Sequence, residues 1–242
     1  DFIQGRPLEN TKPSFLTEVR VTYDNSAIYV AAQLHDPSPD SVLHELGIRD
    51  NNDLNADLFE VKIDPYNTRQ DAFIFGVWAS GVQIDSKWTD ATFNAVWLSA
   101  AEINSEGWAV EIKIPYSAIR FPKKEIQKWG IQFTRNIRRS REFDQWSYTP
   151  SGSGNPLNFW GNLEGIEQIK TPVRLSMTPY LSGYIEQSPY LDHDGTIDML
   201  STYSYNLGAD IKYGIDDRFT LDLTLFPDFG QVQSDSKIKN LG

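Results

Sequence analysis

The sequence predicts an all-β chain: an antiparallel β-sandwich over residues 1–168, followed by antiparallel hairpin strands over residues 172–242. Three observations predict it. Apolar and polar residues alternate in short runs spaced roughly 8–12 residues apart, with turn residues between them. Helical spacing is confined to three short stretches, 39–47, 116–120 and 123–127. The composition breaks at Gln168-Ile169-Lys170-Thr171-Pro172: all seven tryptophans precede residue 161, and Thr171 to Gly242 holds no Trp and one Ala.

The elements follow in order. Val19, Val21 and Tyr23 alternate with Glu18, Arg20 and Thr22; Asp24-Asn25-Ser26 turns the chain, and Ile28, Val30, Ala32 and Leu34 return it as a hairpin. Asp36-Pro37-Ser38-Pro39 stops that arm, because proline has no N–H for a ladder. Phe59, Val61 and Ile63 alternate with Glu60 and Lys62 up to the turn Asp64-Pro65-Tyr66-Asn67. Residues 71–79 are apolar on both faces, as a central strand covered on both sides requires. Gly81 turns the chain into Val82-Gln83-Ile84-Asp85. Trp108, Val110, Ile112 and Ile114 form one further alternating strand, and Ile131, Phe133, Arg135 and Ile137 another.

The tail alternates without a break. Tyr203, Tyr205, Leu207, Ala209, Ile211, Tyr213 and Ile215 take every second position. Ile215-Asp216-Asp217-Arg218 can turn the chain, and Phe219, Leu221, Leu223 and Leu225 continue the pattern. An earlier strand sets Leu175, Met177, Leu181 and Ile185 against Ser176, Thr178, Ser182 and Glu186. Membrane-barrel strands show this period, and so does a water-soluble antiparallel sheet with one wet face.

Charge and composition narrow the function classes. There are 22 basic and 33 acidic residues, a net charge of −11, which opposes phosphate binding and so predicts no nucleic-acid partner. The absence of cysteine excludes disulfides, thiolate metal sites and cysteine nucleophiles. Aromatics make up 13 % of the chain, which suits β-structure or an aromatic binding surface. No apolar run approaches the ~18 residues of a membrane helix. The chain begins at Asp1 without a visible signal sequence and reads as a mature or excised piece. No G-x-S-x-G, H-E-x-x-H or P-loop pattern is present, and the acids are too many for any pair to be nominated as catalytic; no enzyme activity is expected within this chain.

Three groups of residues carry candidate chemistry. Flat indole faces stack on the C–H face of a pyranose, which makes Trp78, Trp88 and Trp97 candidate sugar platforms; the competing reading is three core indoles. Trp78 has the parity opposite to Phe73, Phe75 and Val77 and points away from them. Arg135, with Arg138, Arg139 and Arg141 nearby, is a candidate fork for sugar hydroxyls or a carboxylate, or else one member of a surface ion-pair ladder. Asp50, Asp53 and Asp57 lie in a run dense in hard oxygen ligands, which fits calcium or a solvated acidic turn; the spacing is not that of an EF-hand. No other cofactor is called for.

The segments TEVRVTYDNSAIYVAAQLHDPSPD, DLFEVKIDPYNTRQDAFIFGVWASGVQIDSKW, and EGWAVEIKIPYSAIRFP followed by WGIQFTRNIRR, in this order over about residues 15–168, resemble the carbohydrate-binding module family 9-like β-sandwich. The variant resembled is fused to an outer-membrane β-barrel whose first part contains a run like TLDLTLFPDFGQVQSD, found here at residues 220–235. The resemblance implies sugar binding between tryptophans and a structural calcium. It implies that residues 172–242 are the first strands of an outer-membrane β-barrel, truncated here because three strands cannot close one. The function it implies is non-catalytic glycan binding at the bacterial cell envelope, with the sandwich periplasmic, in support of polysaccharide or oligosaccharide catabolism or uptake. A transport or structural barrel protein whose sandwich is a plug is the first alternative. An accessory module of a glycoside hydrolase is the second.

Overall fold

The computed structural model describes residues 1–170, 174–191, 194–195, 197–215 and 219–226. The chain divides into two compact units, Asp1–Pro172 and Val173–Gly242.

The first unit is a sandwich of two antiparallel sheets. One holds β2 (Thr17–Tyr23), β3 (Ala27–His35), β8 (Gly107–Pro115) and β7 (Leu98–Asn104), in the order β2-β3-β8-β7. The other runs β1 (Ile3–Arg6), β10 (Glu142–Gln145), β9 (Ile126–Ile137), β4 (Leu58–Asp64), β5 (Phe73–Trp78), β6 (Gln83–Lys87). Strand β11 (Gly161–Glu167) also pairs with β9. Thus β9 carries β4 on one edge, while β10 and β11 share the other, β10 at Thr134–Ile137 and β11 at Ile126–Ile131.

The expected alternation is met residue by residue. Ile28, Val30 and Leu34 from one sheet and Phe59, Val61, Ile63, Phe75 and Val77 from the other are buried in one core with Trp108, Val110, Ile112 and Ile114. The β2–β3 turn is tied by Asp24, whose Oδ1 accepts from Ser26 N at 2.7 Å and Ala27 N at 2.9 Å. Gly107 opens β8 at φ +134°, where an added Cβ would collide with the Leu34 carbonyl, so no other residue fits.

The expected helices do not form as such. A single 3-10 turn at Pro39–Ser41 falls within 39–47. Residues 116–118 make a turn closed by Ala118 N to Pro115 O at 2.9 Å, and 123–127 contains no helix because Ile126 and Gln127 already belong to β9. The segment is pinned between Pro115 and Pro122, and Tyr116, Ile119 and Phe121 all turn inward to close one end of the core. That spacing suits a plug and not a helical stripe.

In the second unit β12 (Arg174–Leu191), β13 (Ile197–Gly214) and β14 (Thr220–Leu225) form one antiparallel sheet. Its register sorts the side chains. Leu175, Met177, Leu181 and Ile185 face Tyr213, Ile211, Leu207 and Tyr203 in turn, and Leu221 and Leu223 join Tyr213 and Ile211 from the far side. The opposite face pairs Ser176 with Lys212, Thr178 with Asp210 and Ser182 with Asn206, with Asp222 and Thr224 beside Lys212 and Asp210; Tyr180 and Tyr184 are aromatic exceptions there. The Asp216–Arg218 part of the turn and residues 227–235 of the long motif lie outside the described residues.

Candidate functional site

The outward face of the larger sheet carries the polar parity of the same strands. With Phe59, Val61 and Ile63 inside, Lys62 points out from β4; with Phe133 inside, Gln132 and Thr134 point out from β9. Cross-strand pairing sets Gln145 beside Thr134 and Phe143 beside Asn136, and Arg6 beside Phe143. Over this floor a loop of residues 149–153, with Pro156, Trp160 and Trp88, raises a wall. The result is a cleft of about 330 Å³.

The wall is held by hydrogen bonds from three directions. Gln132 Nε2 donates to Ser147 O at 2.5 Å while its Oε1 accepts from Ser147 N at 2.9 Å. Glu9 Oε1 accepts from Tyr148 OH at 2.8 Å and from Ser151 N at 2.5 Å. These donors hold the Glu9 carboxyl below its ordinary range. Asn155 Nδ2 donates to Arg69 O at 2.6 Å. Glu60, which is not among the lining residues, ties two of them: its Oε2 accepts from Thr134 Oγ1 at 2.7 Å and pairs with Lys62 Nζ at 3.0 Å. Trp88 is 42 % exposed, its ring edge-on to Trp160 with centroids 6.1 Å apart. Trp160 itself is nearly buried. The buried Thr149 hydroxyl has no hydrogen-bond partner. An exposed indole face beside amide, hydroxyl and cationic donors is the combination that grips a sugar ring.

Of the four residues singled out for sugar binding, only Trp88 lies in this cleft. Trp78 does point away from Phe75 and Val77, yet it is 5 % exposed, because Leu54, Ala56, Leu58 and Ile84 cover it in a second small core. Trp97 is 3 % exposed, stands edge-on to Phe75, and donates from Nε1 to Asp85 Oδ1 at 3.0 Å. Arg135 belongs to no surface ladder. It is wholly buried between the sheets, with Nη1 donating to Leu16 O and Thr17 Oγ1 at 3.1 Å each and Nη2 to His35 O at 2.9 Å.

The structure does not gather the three aspartates into one cluster of acidic ligands. Among the described residues no three His, Asp or Glu side chains gather as ligands. Asp50 Oδ1 accepts from Asp85 N at 3.1 Å. Asp57 is wholly buried and its Oδ1 accepts from Arg138 N at 2.9 Å. Burial pushes the Asp57 carboxyl up to about 6, against the pull of Arg135. Asp53 lies on an exposed stretch, its N–H donating to Asn51 Oδ1 at 2.9 Å.

The first unit is thus an antiparallel β-sandwich with an open cleft that presents a half-exposed indole. Residues 5–159 match the family described as carbohydrate family 9 binding domain-like, and since this is more than half of the chain, the chain belongs to that family. Residues 171–242 match the family described as domain of unknown function DUF5916. Two solved structures are similar. One is a putative carbohydrate-binding protein from Bacteroides uniformis, at 12 % identity and TM-score 0.52, covering 68 % of this chain and 85 % of that one. The other is a family 9 carbohydrate-binding module from Caldicellulosiruptor kristjanssonii in complex with cellotriose, at 16 % identity and TM-score 0.48, covering 64 % and 76 %. No curated protein matches the chain.

Proposed function

We propose that the first unit is a non-catalytic carbohydrate-binding module of the bacterial cell envelope, serving polysaccharide or oligosaccharide uptake or breakdown, and that it holds its glycan in the Trp88 cleft. The half-exposed Trp88 in a polar-floored cleft carries this reading. Family membership supports it. None of the residues lining the cleft is Asp or Glu, whereas glycoside hydrolysis takes two carboxyl groups at the bond. Trp88→Ala should weaken oligosaccharide binding about tenfold, the worth of one stacking contact of roughly 1–2 kcal/mol, in titrations followed by tryptophan fluorescence. Trp97→Phe, in the core, serves as the comparison. Equal affinity for Trp88→Ala and the unaltered chain would remove the cleft as the site.

The second unit supplies the membrane part of the reading. From Leu175 to Ile185 the apolar face of β12 extends about 34 Å at ~3.4 Å per residue. Tilted ~40° it would cover about 26 Å, the height of the lipid-facing band of an outer-membrane barrel. Tyr213 stands at one end of that band and Tyr203 and Tyr205 at the other, where such barrels carry their aromatic girdles. The full chain should float with phospholipid vesicles, and the chain ending at Lys170 should stay in the aqueous fraction. Equal partitioning of the two would assign the apolar face to a soluble packing role.

A further inference from the structure

The charge of the cleft differs from that of the chain. With a net charge of −11, the molecule as a whole repels anions. Yet the cleft lining contains two cations, Arg6 and Lys62, and no carboxylate. Lys62 is neutralised by Glu60 at 3.0 Å, and Glu60 is further engaged by Thr134. Arg6 is different. Its guanidinium lies over the Phe143 ring, 5.1 Å from the centroid, and among the described residues it pairs with no carboxylate. The ring braces one face of the fork and leaves its N–H edge for a ligand.

The hydrogen-bonding inventory points the same way. Gln132 is spent on Ser147 and on Phe133 N. Thr134 donates to Glu60, and Gln145 Nε2 reaches Thr149 O at 3.5 Å. What remains to meet a ligand is headed by the five N–H groups of Arg6, which lines the cleft and is exposed. A neutral pyranose offers hydroxyls that both donate and accept, and sites for it profit from a carboxylate to take its protons. A donor-rich cleft without one matches a ligand that only accepts.

We propose that this cleft selects an anionic sugar, one bearing a uronate carboxylate or a sulfate ester, and that Arg6 grips the charged group while Trp88 stacks the ring. The inference rests on the glycan-binding reading above and specifies its substrate class.

The test uses the full chain and four probes of matched length: oligogalacturonate, its methyl ester, a sulfated galactan oligosaccharide and cello-oligosaccharide. Calorimetric titration at low and high salt reads the affinities. At least one anionic probe should bind about tenfold more tightly than its neutral counterpart, with an advantage that shrinks as salt rises. In Arg6→Gln the ratio of anionic to neutral affinity should fall to near one. Which anionic probe wins separates carboxylate from sulfate. Equal affinities for charged and neutral probes would overturn the selectivity and leave glycan binding standing. A preference that survives Arg6→Gln would overturn the role of Arg6. No response to any probe at millimolar concentration would overturn the glycan reading together with this one.

Discussion

Replacing Arg135 by methionine is expected to lower the stability of the sandwich by about 3–5 kcal/mol, a fall in Tm of roughly 10 °C. Methionine keeps the length and the apolar stem, so the loss reports the guanidinium. That group ties β9 to the opposite sheet by donating to Leu16 O, to Thr17 on β2 and to His35 O on β3. Its removal takes a donor from each of these acceptors; Leu16 O keeps His35 N at 3.0 Å, but the loss of buried hydrogen bonds to a charged donor is costly. It also withdraws the positive charge of Arg135 from Asp57 and Asp144, whereas Asp36 keeps Arg139 at 2.6 Å and Glu142 keeps Ser14 N at 2.7 Å. Arg135→Lys should recover only part of the loss, since one ammonium cannot reach three acceptors spread over Leu16, Thr17 and His35. Urea unfolding of the three proteins checks this; a methionine variant within 1 kcal/mol of the original, against the ~3–5 expected, would show the internal cation to be dispensable.

Asp144 is expected to make the sandwich lose stability as pH rises. It lies on β10 opposite Arg135, wholly buried, and neither carboxylate oxygen accepts a hydrogen bond. Burial, and then the neighbouring charge of Glu142, push its carboxyl up to about 7, against the pull of Arg135. A carboxyl whose folded pKa exceeds its unfolded value of ~3.9 holds its proton more tightly when folded. Its contribution is therefore fully present below about pH 4 and is lost progressively as pH rises to about 7. A shift of this size corresponds to a loss on the order of 4 kcal/mol. Asp36, Asp71 and Glu142 are shifted the other way, so the total profile is a balance, and the clean readout is a difference. Asp144→Asn should be more stable than the unaltered chain at pH 8 and close to it at pH 4. A gap that does not change between the two pH values would show that Asp144 does not titrate in this window.

The strands were legible because each has a period and a length. The alternation of Phe59, Val61 and Ile63, or of Ile131, Phe133, Arg135 and Ile137, survives in the structure position for position. The same parity placed Arg135 inside; only its residue type argued for the surface, and a buried cation held by carbonyls leaves no local pattern. Trp78 shows the limit from the other side. Its direction followed from parity, but its cover comes from Leu54 and Ala56, in irregular chain where no period marks a contact. The cleft was legible only in part. Lys62, Gln132 and Thr134 sit on the polar parity of recognised strands, and that parity was the available signal. Arg6 and Trp160 reach the same cleft from opposite ends of the unit, and β1 and β10 are four residues each, too short to declare themselves.

The Glu9 hydrogen bonds to Tyr148 and Ser151 span 139 and 142 positions of chain. Contacts so distant in sequence repay their loop-closure entropy only after the strands between them have paired. The cleft wall therefore needs both ends of the unit, and a ribosome-bound chain that has emerged only as far as β9 lacks Tyr148 and Ser151 and cannot hold it. On the proposed reading, glycan affinity would therefore test completion of the whole unit, while the buried Trp97 reports on its core.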